Sequence, residues 1–147
     1  MTTTTGPVAG ARELALAHYA ARAVLERVLA RHGMTFQEQV ALRAAVSADA
    51  PQTSDVLVTR VQHSLKADPT DVRSTLGELL TKRLLVEEGP HIRPTDAGRE
   101  LMAAVGAETA PLSARIWSGM SESDLATVGR VLALVTERAD AELRELA

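Results

Sequence analysis

The densest run of side chains able to recognise another molecule by hydrogen bonding lies between Asp68 and Arg83. It opens with Asp68-Pro69-Thr70-Asp71, and Arg73, Ser74 and Thr75 follow directly. Asp68 suits a helix N-cap and Pro69 the first helical position, so the residues behind them occupy the first two turns of a helix. Arg73 carries a planar fork of donors that matches the paired acceptors on the major-groove edge of guanine. The hydroxyls of Thr70, Ser74 and Thr75 can donate to base edges or to phosphates. Asp71 has two readings, a base contact or the second half of the cap. Lys82 and Arg83 stand at the far end of the same helix, where a cation meets either a phosphate or the negative end of the helix dipole. Further along, His91 and Arg93 offer the same donor chemistry on a short extended segment. All of this is recognition chemistry, with no bond made or broken.

Bond-making chemistry has no support elsewhere in the chain. There is no glycine-rich phosphate loop and no nucleophile elbow. The four histidines, His18, His32, His63 and His91, share no metal-ligand spacing, and there are no cysteines. The expectation is a protein that is not an enzyme and holds no cofactor and no metal. The lack of cysteine also removes disulfides and thiol redox switching. His18 and Tyr19, near the middle of the first helix, form a candidate lining for a small-molecule pocket together with Trp117. Packing with a satisfied hydrogen bond is the competing role for these three.

Hydrophobic periodicity and capping signals give the elements that must position the donors. Residues 1–10 read as a disordered tail of Thr repeats, Gly and Pro. A first helix is expected from about Arg12 to Arg31, with an apolar stripe at Leu14, Ala17, Ala21, Val24, Leu25, Val28 and Leu29 and with Gly33 ending it. Thr35-Phe36-Gln37-Glu38 is a capping box opening a second helix to about Ser47, which should bury Val40, Leu42 and Val46. Residues 50–52 read as a connector. Thr53 or Ser54 caps a third helix carrying Leu57, Val61 and Leu65. The fourth helix runs from Pro69 to about Lys82 and should bury Val72, Leu76, Leu79 and Leu80. Leu84-Leu85-Val86 reads as a strand, Gly89-Pro90 as a turn and His91-Ile92-Arg93 as the returning strand. Thr95 caps a fifth helix that should reach Trp117, kinked or broken at Pro111. Ser121 caps a last helix whose stripe includes Leu125, Val128, Leu132, Val135 and Ala139. A helix with such a stripe at the end of the chain needs a partner, and the first helix of a second copy is the natural one.

Helix, turn, helix and then a tiny ribbon is the order of a winged helix-turn-helix. The expected fold is therefore mainly α with a small β-ribbon, a winged helix-turn-helix lobe flanked by N- and C-terminal dimerisation helices. The expected domains are a tail at 1–10, a dimerisation helix at 11–34, the DNA-binding lobe at 35–100 and dimerisation helices at 101–147. The net charge is −3, and 46% of residues are hydrophobic, enough for a real core. Residues 53–99 carry seven basic and seven acidic side chains, so the reading lobe is neutral, and the acidity is exported to the C-terminal segment. No apolar run approaches a membrane span, and the N-terminal Thr run lacks the features of a signal peptide, so a cytoplasmic protein without a membrane partner is expected.

The order of elements, with Val72-Arg73-Ser74-Thr75-Leu76-Gly77-Glu78-Leu79 as a recognition helix and Arg93-Pro94-Thr95-Asp96-Ala97-Gly98-Arg99 joining ribbon to helix, resembles the MarR family of bacterial transcription regulators. The resemblance runs from about Arg12 to Leu146. It implies a homodimer with two winged lobes that binds a double-stranded, pseudo-palindromic DNA operator, often with affinity lowered by a small-molecule effector. It also implies a recognition surface built on Thr70, Asp71, Arg73, Ser74, Thr75, Lys82, Arg83, His91 and Arg93. The neutral lobe and the short ribbon leave a second reading open, a winged-helix protein-interaction module with weak or lost DNA binding.

Overall fold

Local capping chemistry sets where the helices begin. In a computed structural model, which describes residues 6–147, the first helix α1 spans Ala11–Arg31. Residues 1–5 of the expected tail lie outside the described residues, and residues 6–10 enter no helix or strand. The second helix, α2 (Phe36–Val46), starts with the reciprocal box read from the sequence: the Glu38 N–H donates to Thr35 Oγ1 at 3.1 Å, and the Thr35 N–H donates to the Glu38 carboxylate at 3.2 Å. Helix α3 (Ser54–Leu65) is capped by Thr53, which accepts from the Val56 N–H. Helix α4 (Pro69–Thr81) is capped by Asp68, whose carboxylate accepts from the Thr70 N–H at 2.8 Å.

Helices α1 and α4 end in the same way. After α1, Gly33 takes φ +68°, its N–H meets the Ala30 carbonyl, and the Met34 N–H meets the Leu29 carbonyl. After α4, Arg83 takes φ +59°, its N–H meets Leu80, and the Leu84 N–H meets Leu79. This pair of bonds closes the last turn and normally calls for glycine, because a left-handed residue with a Cβ is strained.

Strands β2 (Leu85–Glu88) and β3 (His91–Pro94) form an antiparallel ribbon turned at Gly89, φ +59°. The connector expected at 50–52 proves to end in a third strand, β1 (Gln52–Thr53), which pairs with β3 through Gln52–Ile92 and Thr53–His91 to give the order β1-β3-β2. A two-residue strand shows no alternation, and only its partners 38 and 40 positions away make it one. Leu85, Ile92 and Pro94 turn inward and are buried, while His91, Arg93 and Glu88 share the outer face.

Two compact units make up the chain, one ending at residue 110 and the other covering 111–147. In the first, α2, α3 and α4 pack on one another and on the ribbon around Leu42, Leu57, Val61, Val72, Leu76, Leu79 and Leu85, with Leu29 of α1 and Val105 joining them. On α2 the buried face is Glu38, Gln39, Ala41, Leu42 and Ala45, while Val40 and Val46, expected inside, are half-buried. Leu65 and Leu80 are also only half-buried.

Helix α5 (Asp96–Ile116) continues through Pro111, so of the kink or break expected there the break does not occur. Pro111 has no N–H for the Ala107 carbonyl, and the division between the two units falls at this point. In the second unit, Ser121 caps α6 (Glu122–Leu146) by accepting from the Asp124 N–H. No residue of α6 is buried, and Val128, Val131, Leu132, Leu134 and Val135 are all exposed. Helix α1 likewise exposes Leu14, Leu16, Tyr19 and Val24. Among the described residues, no helix is long and apolar enough to cross a membrane.

Candidate nucleic-acid interface

Helix α4 buries Val72, Thr75, Leu76 and Leu79. At 100° per residue, the opposite ridge is Thr70, Ser74, Gly77 and Thr81, all exposed. Arg73 flanks this ridge on the side of α3, and Asp71 and Glu78 flank it on the other side. That second flank borders a groove of about 550 Å³ that includes Arg22, Glu26, Phe36, Asp71, Ser74 and Glu78. The Arg22 guanidinium lies 4.1 Å from the centre of the Phe36 ring there and bonds Glu26.

The expected contact residues fall into two groups. Thr70, Asp71, Arg73 and Ser74 come together on the outer surface of the first two turns of α4, and Arg83 is exposed beyond its end. His91 and Arg93 share the outer face of the ribbon. Thr75 stands apart: it is 6% exposed, and its hydroxyl donates to the Asp71 carbonyl at 3.0 Å. It packs in the core side of the helix, with its one proton used internally. Lys82 stays exposed, but its ammonium is held by the protein itself. Its ammonium donates to the Glu38 carboxylate at 2.7 Å and to the Gly33 carbonyl at 3.0 Å, tying the end of α4 to the start of α2.

Glu38 is 1% exposed and has the environment of a structural ion. Burial pushes its pKa up, but the bond and charge of Lys82 and the bonds from Thr35 more than reverse this and hold it below the ordinary carboxylate value.

Two further cations of the surface are paired with acids. Arg73 donates to Asp55 on α3 at 3.1 Å, in an exposed pair that water screens. Arg93 donates to Glu88 at 2.6 Å, its diagonal neighbour across the ribbon. Asp55 carries no signal in the sequence, because its partner is 18 positions away on another helix. Gly77 and Thr81, which are not among the expected contact residues, complete the outward ridge, and counting turns forward from Thr70 would have found them.

The ribbon is locked to the end of α4 by Thr95 and Gly98. The Thr95 hydroxyl donates to the Arg83 carbonyl at 2.7 Å and accepts from the Gly98 N–H at 3.0 Å, and the Thr95 N–H donates to the Leu84 carbonyl. Gly98 is required by closeness: a Cβ there would sit 2.2 Å from the Leu84 carbonyl oxygen.

His18 and Tyr19 are neighbours on α1, with ring centres 6.0 Å apart, and Tyr19 is 64% exposed. Trp117 follows α5 in the second unit and is 50% exposed. None of the three borders the groove beside α4.

No family model matches the chain, and no curated protein matches it. Solved structures do. A transcriptional regulator designated PA3341 is similar at 23% identity and a TM-score of 0.72, over 88% of this chain and 97% of that one. Staphylococcus aureus MarR, in complex with salicylate and kanamycin, is similar at 17% identity and a TM-score of 0.74, over 89% and 90%. The Mycobacterium tuberculosis MarR family protein Rv2887, in complex with DNA, is similar at 19% identity and a TM-score of 0.65, over 87% and 98%. With an exposed α4 set between a capped α3 and an antiparallel ribbon, the chain has the winged helix-turn-helix fold of the MarR-family regulators.

Proposed function

We propose that this protein is a homodimeric, sequence-specific DNA-binding transcription regulator of the MarR type, acting as a ligand-responsive repressor. The observation that carries the reading is the outward ridge of α4, where Thr70, Arg73 and Ser74 are exposed on the first turns of a helix that a winged lobe holds proud of the surface. The start of the second helix of such a motif is the part that meets base edges. The solved structure of Rv2887 in complex with DNA supports the same use of the fold, and salicylate in complex with MarR supports a small-molecule effector. The unburied apolar stripe of α6 supports a dimer.

Fluorescence anisotropy with a DNA fragment from upstream of the protein's own gene tests the reading. Tight binding that resists unrelated competitor and weakens steeply with salt is the expected result. Arg73→Ala should cost about 1–3 kcal/mol against the best site and relax preference at one base pair. Unchanged affinity and selectivity would remove Arg73 from the readout.

One observation favours a second reading, an interaction module on the same scaffold with weak or lost DNA binding. Arg73, Lys82 and Arg93 each face a carboxylate of the protein's own. Phosphate neutralisation supplies much of DNA affinity, and paired cations supply less of it. Absence of binding at low salt, across fragments of the surrounding genome, would establish this reading over the first.

A further inference from the structure

Arg73 meets its acid across two helices. Its Nη2 donates to the Asp55 carboxylate at 3.1 Å, and Asp55 stands in the first turn of α3, 18 positions earlier in the chain. The Asp55 side chain is 84% exposed and that of Arg73 52%, so the pair adds little to stability. It nevertheless fixes the guanidinium. Nη2 carries one N–H on each of the two donor edges of the group, the edge shared with Nε and the edge shared with Nη1. Asp55 takes one of these, and the other edge keeps both of its donors. The paired acceptors of guanine need one such edge. The acid also stands where a helix-turn-helix brings the DNA backbone, because the first helix of the motif crosses the phosphates. A carboxylate in the first turn of α3 supplies the negative charge that its N-terminus attracts, and repels a phosphate from the same place.

We infer that Asp55 is a positioning residue for base readout: it holds the Arg73 guanidinium with one donor edge free for a guanine and keeps that arginine from serving a nearby phosphate. Holding the fork in place saves ordering a long, flexible side chain on binding. The same carboxylate makes the wrong contact costly, and specificity is a difference between right and wrong contacts. The other paired cations are placed differently. Arg93 meets Glu88 within the ribbon, and Lys82 meets a buried acid at the far end of α4. The Asp55 pair stands at the first turns of α4, where base edges are met. This role for Asp55 rests on the protein being a DNA-reading regulator.

Selection from a pool of randomised duplexes, followed by anisotropy on the best selected duplex and on one of unrelated sequence, tests this role. The unaltered full chain should enrich a preferred sequence, and R73A should lose the preference at one G·C pair within it. D55N should weaken the preference at that same pair. It should also bind the unrelated duplex about threefold more tightly, with a salt slope steeper by about one, since a released arginine neutralises a further phosphate. The ratio of the two affinities should fall at least about fivefold. D55E keeps the carboxylate and should recover most of the preference. A D55N protein with the base preference, unrelated-duplex affinity and salt slope of the unaltered one would overturn the positioning role and leave the regulator reading standing. So would equal losses on both duplexes, which would mean that the pair serves only the fold. No enrichment by the unaltered protein would overturn the regulator reading and this role together.

Discussion

Lys82 shows how a residue chosen for its charge can serve the fold. Its ammonium compensates Glu38, a carboxylate that would otherwise be stranded in the core. A carboxyl whose folded pKa is depressed adds stability above its unfolded pKa, and that stability is lost as pH falls through the folded value. Lys82→Gln removes the compensation and lets burial dominate, so the folded pKa of Glu38 should rise. The variant should lose about 2 kcal/mol at neutral pH. The gap to the unaltered protein should narrow as the pH falls from the raised pKa of the variant towards the depressed pKa of the unaltered protein, because a protonated Glu38 no longer needs a cation. Urea unfolding at neutral and mildly acid pH checks this; a gap that does not change with pH would refute the coupling. Arg83 makes the opposite case. It holds a left-handed conformation that glycine adopts without strain, so Arg83→Gly should stabilise the protein by about 0.5–1 kcal/mol. If Arg83 touches a phosphate, the same change should lower the salt slope of DNA binding by about one. The two readouts separate its cost to the fold from its use on DNA.

At the scale of elements, α4 and the ribbon behave as one piece because Thr95 and Gly98 bind the start of α5 to the last carbonyls after α4. Backbone meets backbone here, and neither partner can swing aside as a side chain could. Gly98→Ala should therefore cost about 3 kcal/mol, read by denaturant unfolding. A loss under 1 kcal/mol, of the size expected for an exposed glycine, would mean that the joint yields easily. The same rigidity explains why so short a ribbon is ordered: β1 adds a third strand at its edge, and Ile92, Leu85 and Pro94 bury its inner face.

For the whole molecule, the apolar residues exposed on α6 and α1 dominate the energetics that a partner could change. No residue of α6 is fully buried, and an amphipathic helix gains most of its stability from packing its apolar face. A second copy, presenting the same faces by two-fold symmetry, would cover them. Leu132→Arg combined with Val135→Arg places two charges in the middle of the stripe. Light scattering should then give the 15.6 kDa monomer mass in place of twice that value. A double variant that remains dimeric would remove the centre of α6 from the interface. DNA affinity should fall with the dimer, because two half-sites would no longer be held together.

The amino-acid sequence alone determined what is local. Thr35, Thr53, Asp68 and Ser121 each cap the helix that their side chains announced, because a cap needs only the next few N–H groups of the same chain. The 3.6-residue stripes of α3 and α4 and the turn at Gly89 were legible for the same reason, and together they were enough to give the order of a winged helix. Only the tertiary structure decided what depends on residues far apart in the chain. It made a strand of Gln52–Thr53, set Glu38 and Gln39 inside in place of Val40 and Val46, and buried Thr75. It turned Lys82 toward Glu38 and set Asp55 beside Arg73. Each of these joins positions 18 to 44 residues apart or turns on which helix lies against which face, and no periodicity within one segment encodes that. A charged residue at a helix end can meet solvent, a phosphate or a buried acid, and which of these it meets is settled when the helices pack.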